Sequence, residues 1–256
     1  MKDNNTVYEF DVNLICDFFL HTERQGPGSP GSTVKALSFI DNLNDKSHIA
    51  DIGCGTGGQT FTLAQNTTAK ITALDAFSGF INKLNLNAGK MNLQNRIKGV
   101  TGFMESLPFQ RESLDLIWSE GAIYNIGFEK GINEWRTFLK PGGYIAVSES
   151  CWFTEKRPAE IHDYWMQNYS EIDTIPIKVA QMQKAGYIPV ATFALPEYCW
   201  LEHYYLPMAD AQMRFLHAHE GNKAAERFVE YLRLEEALYR RYKKYYGYVF
   251  FIGKKI

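Results

Sequence analysis

The feature that most constrains this chain is a short apolar run that ends in four glycines within six residues. Ile49, Ala50, Asp51 and Ile52 lead into Gly53, Cys54, Gly55, Thr56, Gly57 and Gly58. Glycines at a strand end let the backbone turn sharply and let a ligand approach the main chain closely. Around this loop, strand-like apolar runs alternate with segments of helical period, the pattern of a mostly parallel sheet covered on both faces. The spacing predicts strands over 48–52, 70–74, 97–101, 114–119 and 143–149. Helices are expected over 32–43, over 78–93 with Ser78 as its cap, and over 128–139, where Lys140, Pro141, Gly142 and Gly143 turn the chain back into a strand. Beyond residue 149 helices are expected over 158–169, 178–185 and 222–245, with strands over 187–195 and 248–252.

Size and charge narrow the partners. A chain of 256 residues that is 45% hydrophobic has ample material for a core. Its net charge of −2 offers no general attraction to a polyanion, so no nucleic-acid partner is expected. The basic run from Arg240 to Lys244 reads as the solvated face of a helix, with Arg233 and Glu235 before it in mixed charge. Cys16, Cys54, Cys151 and Cys199 lack CxxC or other metal-ligand spacing, so no metal is expected. The polar residues Lys2, Asp3, Asn4 and Asn5 argue against a signal peptide, and no apolar run suits a membrane span; a cytoplasmic location is the expectation.

The chemistry starts at the loop. Gly53, Gly55 and Gly58 satisfy GxGxxG, which alone is weak evidence for a dinucleotide. Asp51, before the first glycine, would repel a pyrophosphate but suits a ligand bearing an ammonium and a sulfonium; a plain strand-end carboxylate held by local amides is the other reading. Asp75 closes the second strand about 20 residues beyond the loop, placed to accept hydrogen bonds from both ribose hydroxyls, and it can also start the helix that follows.

Taken together, DIGCGTGG at 51–58, ALD at 73–75, SLPF at 106–109, LDLIWSEGA at 114–122 and LKPGGYIAVSE at 139–149 resemble the motif series of class I, Rossmann-like S-adenosylmethionine-dependent methyltransferases. The small-molecule type is the nearest likeness, including the ubiquinone/menaquinone-biosynthesis and glycine/sarcosine groups. The resemblance covers roughly residues 49–149. It implies a doubly wound, seven-stranded, mostly parallel α/β sheet with an antiparallel terminal strand, an N-terminal arm and a C-terminal helical cap insertion. The expected divisions are an arm or lid over 1–31, a cofactor-binding core over 32–150, and the rest of the sheet with an aromatic cap over 151–256.

The resemblance also implies S-adenosyl-L-methionine as cofactor, S-adenosyl-L-homocysteine as product and a small-molecule acceptor. Gln25, Gly26, Asp51, Gly53, Cys54, Gly55, Asp75, Ala76, Phe103, Met104, Glu105 and Ser119 are then expected around the cofactor. Phe103 stands where relatives carry an Asp directed at adenine, so Phe103 or Met104 would pack on the purine and Glu105 is the nearest replacement acceptor. Tyr124, Asn125, Trp152 and Tyr204 are expected around the acceptor, with Glu120 and His203 as candidate bases. The readings that compete are a non-catalytic S-adenosylmethionine-binding protein and a NAD-dependent oxidoreductase. The arm or cap could also seat a second copy in a homodimer.

Overall fold

The computed structural model describes residues 10–256. Residues 1–9 of the expected arm lie outside this range. The central sheet has eight strands: β1 (His48–Ile52), β2 (Lys70–Asp75), β3 (Ile97–Thr101), β4 (Leu114–Glu120), β5 (Leu139–Trp152), β6 (Asp173–Thr174), β7 (Tyr187–Ala194) and β8 (Tyr246–Lys255). Their order is β3-β2-β1-β4-β5-β8-β7, with the two-residue β6 paired beside β5. All pairings are parallel except those of β8, which runs antiparallel to both β5 and β7. The expected sheet is thus present with one extra short strand.

Alternation along each strand divides the core into two layers. Ile49, Ile71, Ala73, Leu116 and Trp118 face one cluster; Ala50, Ile52, Leu74, Leu114 and Ile117 face the other. The first layer is covered by α1 (Val12–Leu20), α2 (Pro30–Leu37), α3 (Gly58–Asn66), α4 (Ser78–Lys90), α6 (Ala159–Asn168), α9 (Leu206–Ala218) and α10 (Lys223–Tyr242). The second is covered by α5 (Phe128–Trp135) and α7 (Ile175–Lys184). Strands buried on both faces explain why they read as continuous apolar runs.

Two local expectations are corrected, and one segment with no expected element proves helical. The helix expected from residue 32 is α2, which begins at Pro30 because Ser29 Oγ accepts from the Ser32 amide and Pro30 supplies a preset first turn. The cap of α4 is Phe77, not Ser78, and the amide of Phe77 donates to Asp75 Oδ1 at 3.0 Å. The aromatic block after β7 is helical throughout: α8 (Tyr198–Trp200) passes through a π turn (Leu201–Tyr205) into α9. Pro207, at the start of α9, has no amide proton to donate to the preceding turn, and the widened turn accommodates it.

Candidate functional site

The order of the sheet reverses between β1 and β4, and open α/β sheets bind ligands outside the carboxyl ends of the strands at such a point. A cavity of about 560 Å³ lies there, within the range of small-molecule sites. It is lined by the loop after β1, the ends of β2 and β4, the arm, the cap and β8.

Gly53 and Gly55 adopt φ of +71° and +56°, the left-handed region that suits glycine. A methyl on Gly53 would strike the Ala122 side chain, and one on Gly55 would strike Gln25 Oε1. The loop is anchored by Gly53 N–H donating to the Leu74 carbonyl at 2.8 Å and by Gly55 N–H donating to Asp75 Oδ2 at 2.9 Å. Asp75 therefore joins the glycine loop to the start of α4 and still lines the cavity, so its two expected roles are compatible. Burial raises its pKa despite the amide donors. Cys54, Ala76 and Phe77 complete this wall.

Beyond β3, Met104 and Glu105 line the cavity, and Phe103 does so while 66% exposed. Trp135 Nε1 donates to the Met104 carbonyl at 3.0 Å, which fixes this turn against α5. A flat ring entering here would meet Phe77, Phe103 and Met104, with Glu105 on the same stretch of wall where relatives carry the Asp.

The arm is built into the site. Gln25 Oε1 accepts from the Thr56 amide at 3.0 Å, and Gln25 and Gly26 both line the cavity beside Gly55. Arg24, which the sequence reading passed over, donates from Nη2 to Glu120 Oε2 at 2.7 Å in a buried ion pair. Thr33 Oγ1 and Trp118 Nε1 donate to Glu120 Oε1 at 2.6 and 3.0 Å. Glu120 lines the cavity as expected, but with three donors on its carboxylate its geometry is that of a clamp, not a general base.

Four expected site residues lie elsewhere. Asp51 is fully buried behind the loop and outside the cavity lining. Gln59 Nε2 and Thr60 Oγ1 donate to it at 3.2 and 2.5 Å, and burial pushes its pKa up to about 7. This is the plain reading of Asp51, with side-chain donors in place of amides; Gln59 faces the cavity instead. Ser119 is buried on the inner run of β4. Trp152 packs against Tyr246 and the Arg157 guanidinium, away from the lining. His203 projects to the surface from the π turn and touches only the Tyr198 ring among described aromatic contacts, so it cannot serve as a base in the cavity.

Tyr124, Asn125 and Tyr204 do line the cavity, as do Trp165 and Trp200, for which the sequence left core and substrate wall open; Tyr164, Asn168, Tyr169, Tyr231, Glu235, Tyr246 and Tyr248 join them and were not assigned from sequence. Trp200 stacks on Tyr239 at 4.2 Å and meets Tyr248 edge-on at 4.9 Å, so these walls are held rigidly. Glu235 accepts from Tyr205 Oη at 3.2 Å, and burial pushes its pKa up to about 7. Behind the cavity, Glu149 lies 3.8 Å from the buried Lys178 ammonium; burial outweighs that attraction and its pKa also rises to about 7.

A parallel sheet with a glycine loop at its switch point, an acidic end to β2 and an antiparallel final strand defines the class I, Rossmann-like α/β fold. Residues 50–147 match the family described as methyltransferase domain. That match spans under half of the chain. The chain is similar to a sterol 24-C-methyltransferase of Candida albicans, 28% identical over 162 residues, which cover 58% of this chain and 43% of that protein. The chain thus spans under half the length of that relative. It is also 26% identical over 212 residues to a phosphoethanolamine N-methyltransferase of Plasmodium falciparum, covering 79% and 77% of the two chains. Among solved structures, a SAM-dependent methyltransferase from Geobacter sulfurreducens in complex with S-adenosyl-L-homocysteine superposes with a TM-score of 0.84 at 18% identity, over 96% of this chain and 99% of that one. No helix among the described residues is long and apolar enough to cross a membrane.

Proposed function

We propose that this protein transfers a methyl group from S-adenosylmethionine to a small-molecule acceptor. The observation that carries the reading is the wall formed by Gly53, Gly55 and Asp75, where side chains are sterically excluded and a buried carboxylate faces the cavity. That donor and acceptor set suits the cofactor: open main chain for the methionyl part, Asp75 for ribose hydroxyls, and Phe77 with Met104 for the adenine faces. The solved neighbour with bound S-adenosylhomocysteine and the methyltransferase relatives support it.

When bound, S-adenosylmethionine supplies a sulfonium methyl already activated toward a nucleophile. The chain's own part is to orient the acceptor and exclude water. Gln25 and Arg24 hold the arm over the glycine loop, and the Glu120 clamp fixes Arg24 to the end of β4. The aromatic walls from α6, the π turn, α10 and β8 enclose the acceptor side. A NAD-dependent reaction is not supported, since β5, β8 and β7 do not repeat the first half of the sheet.

Calorimetry with S-adenosylmethionine and NAD, followed by incubation with a metabolite extract, tests the reading. Binding of the former and production of S-adenosylhomocysteine with methylated metabolites are expected. Failure to bind S-adenosylmethionine overturns the proposal; binding without turnover against a broad extract would leave a cofactor-binding protein instead.

A further inference from the structure

The acceptor side of the cavity holds one carboxyl group with no cation beside it. Glu235 enters from α10, and its hydrogen-bond partner there is the phenol of Tyr205. Among the described residues no Lys, Arg or His forms an ion pair with it, although ion pairs are common on the same helix: Arg240 with Glu236 and Lys223 with Glu226. The titratable groups that face it are the phenols of Tyr164, Tyr204, Tyr205, Tyr246 and Tyr248, all held protonated by burial. Trp165 and Trp200 add π faces to the same wall.

A negative group in a chamber of neutral rings is costly when empty of countercharge, and burial accordingly favours its protonated form. A ligand that brings a positive nitrogen removes that cost twice over. It forms a charge-assisted contact with the carboxylate, and it meets ring faces whose quadrupoles attract cations. The hydroxyls are partly spent on one another: Tyr231 Oη donates to Asn168 Oδ1 at 3.2 Å, and the Tyr164 and Tyr231 oxygens lie 3.4 Å apart. Glu235 is thus the strongest polar feature offered to a ligand from α10.

We propose that Glu235 and the rings around it form the recognition site for a cationic amine, so that the acceptor is an ammonium-bearing molecule with an apolar body. The word acceptor rests on the methyltransferase reading; the amine site itself does not. Of the other carboxyl groups on this cavity, Asp75 and Glu105 stand by the glycine loop and the turn after β3, and Glu120 is already neutralised by Arg24, which leaves Glu235 as the group that selects on the aromatic side.

Hexylamine and hexan-1-ol, similar in size and differing in charge, serve as probes in calorimetric titrations of the protein saturated with S-adenosylhomocysteine. Hexylammonium is expected to bind at least about tenfold more tightly than hexanol, the scale of a hydrogen bond to a charged group. Glu235→Gln should abolish that preference while S-adenosylhomocysteine affinity, measured first on the same sample, is retained. Titrations at pH 7 in two buffers of different ionisation enthalpy should also detect a proton released by the wild-type protein on binding the amine, because the ammonium drives Glu235 to ionise. Equal or tighter binding of hexanol overturns the proposal, as does a preference that persists in Glu235→Gln. If that variant does not fold, the proton release of the wild type decides, and its absence overturns the proposal. Loss of S-adenosylhomocysteine binding by the wild type would sink the methyltransferase reading alone, and the amine comparison would then be made without it.

Discussion

Glu120 offers the sharpest test of how this site is assembled, because the same side chain can be read as a base or as a clamp. Its carboxylate is bound by the Arg24 guanidinium at 2.7 Å, with the side chains 10% and 2% exposed. Glu120→Gln preserves shape and leaves an oxygen for Thr33 and Trp118, but it faces Arg24 with an amide and strands a buried charge. Breaking a buried pair in this way costs about 3–5 kcal/mol. Arg24→Met should cost a similar amount, because it strands the carboxylate. The double variant has no charge to strand, so it should recover about 2 kcal/mol relative to the sum of the single changes. Urea unfolding followed by tryptophan fluorescence gives the stabilities, and calorimetry with S-adenosylmethionine reports whether the arm still closes the glycine loop. Both singles should lose cofactor affinity with stability. A Glu120→Gln protein of unchanged stability and affinity that has lost turnover would refute the clamp and reinstate Glu120 as a base.

Two other predictions follow from the buried carboxyls. Asp75→Ala removes the acceptor for the Gly55 and Phe77 amides and, on the proposed cofactor placement, for the ribose, and should weaken S-adenosylmethionine binding by about 1–3 kcal/mol; unchanged affinity in calorimetry would mean that the ribose lies elsewhere. Glu235 has its pKa raised from 4.5 to about 7, so the folded protein holds its proton through that window while the unfolded chain releases it. Stability then falls as pH rises from about 4.5 through 7, by up to about 3 kcal/mol, and the loss is complete above the folded pKa. Glu235→Gln removes this dependence: in urea melts the variant should match the wild type near pH 5 and exceed it near pH 8.5, and a difference that does not vary with pH would refute the assignment.

The core of the fold was legible because its signals are local. The run 48–52 into Gly53, and the strands at 70, 97 and 114, carry apolar periodicity and glycine geometry that few alternatives satisfy. Gln25, Gly26, Asp75 and Met104 followed from the same motifs and line the cavity. The acceptor side was not legible in this way. Glu235 sits in a run of Arg, Glu and Lys and reads as a solvated position, yet α10 turns that one carboxyl inward. Its helical spacing from Tyr231, Leu232, Leu238, Tyr239 and Tyr242 does put it on the apolar stripe, a signal masked by the charges around it, whereas Glu236 pairs at the surface with Arg240. His203 drew notice as the histidine of an aromatic block, but the π turn sends Tyr204 and Tyr205 into the core and His203 to solvent. Pro207 looks like a helix stop, and only the widened turn lets the helix continue past it. Arg24 escaped because its partner lies 96 residues away.

The placement of β8 has a consequence for how the molecule comes into being. It follows every other strand in the sequence, yet it lies inside the sheet, between β5 and β7. Those two strands can share a sheet only after it arrives, so the far half waits for residues 246–255 while β1 to β4 can already pair. Tyr246 and Tyr248, which wall the cavity, belong to that late strand, and Glu235 lies on the helix just before it. During synthesis the glycine loop and Asp75 can therefore be assembled on a chain that still lacks its aromatic chamber. The wall at Gly53, Gly55 and Asp75 would then take shape before the aromatic one, which is completed in a single closing event as β8 enters its slot between β5 and β7.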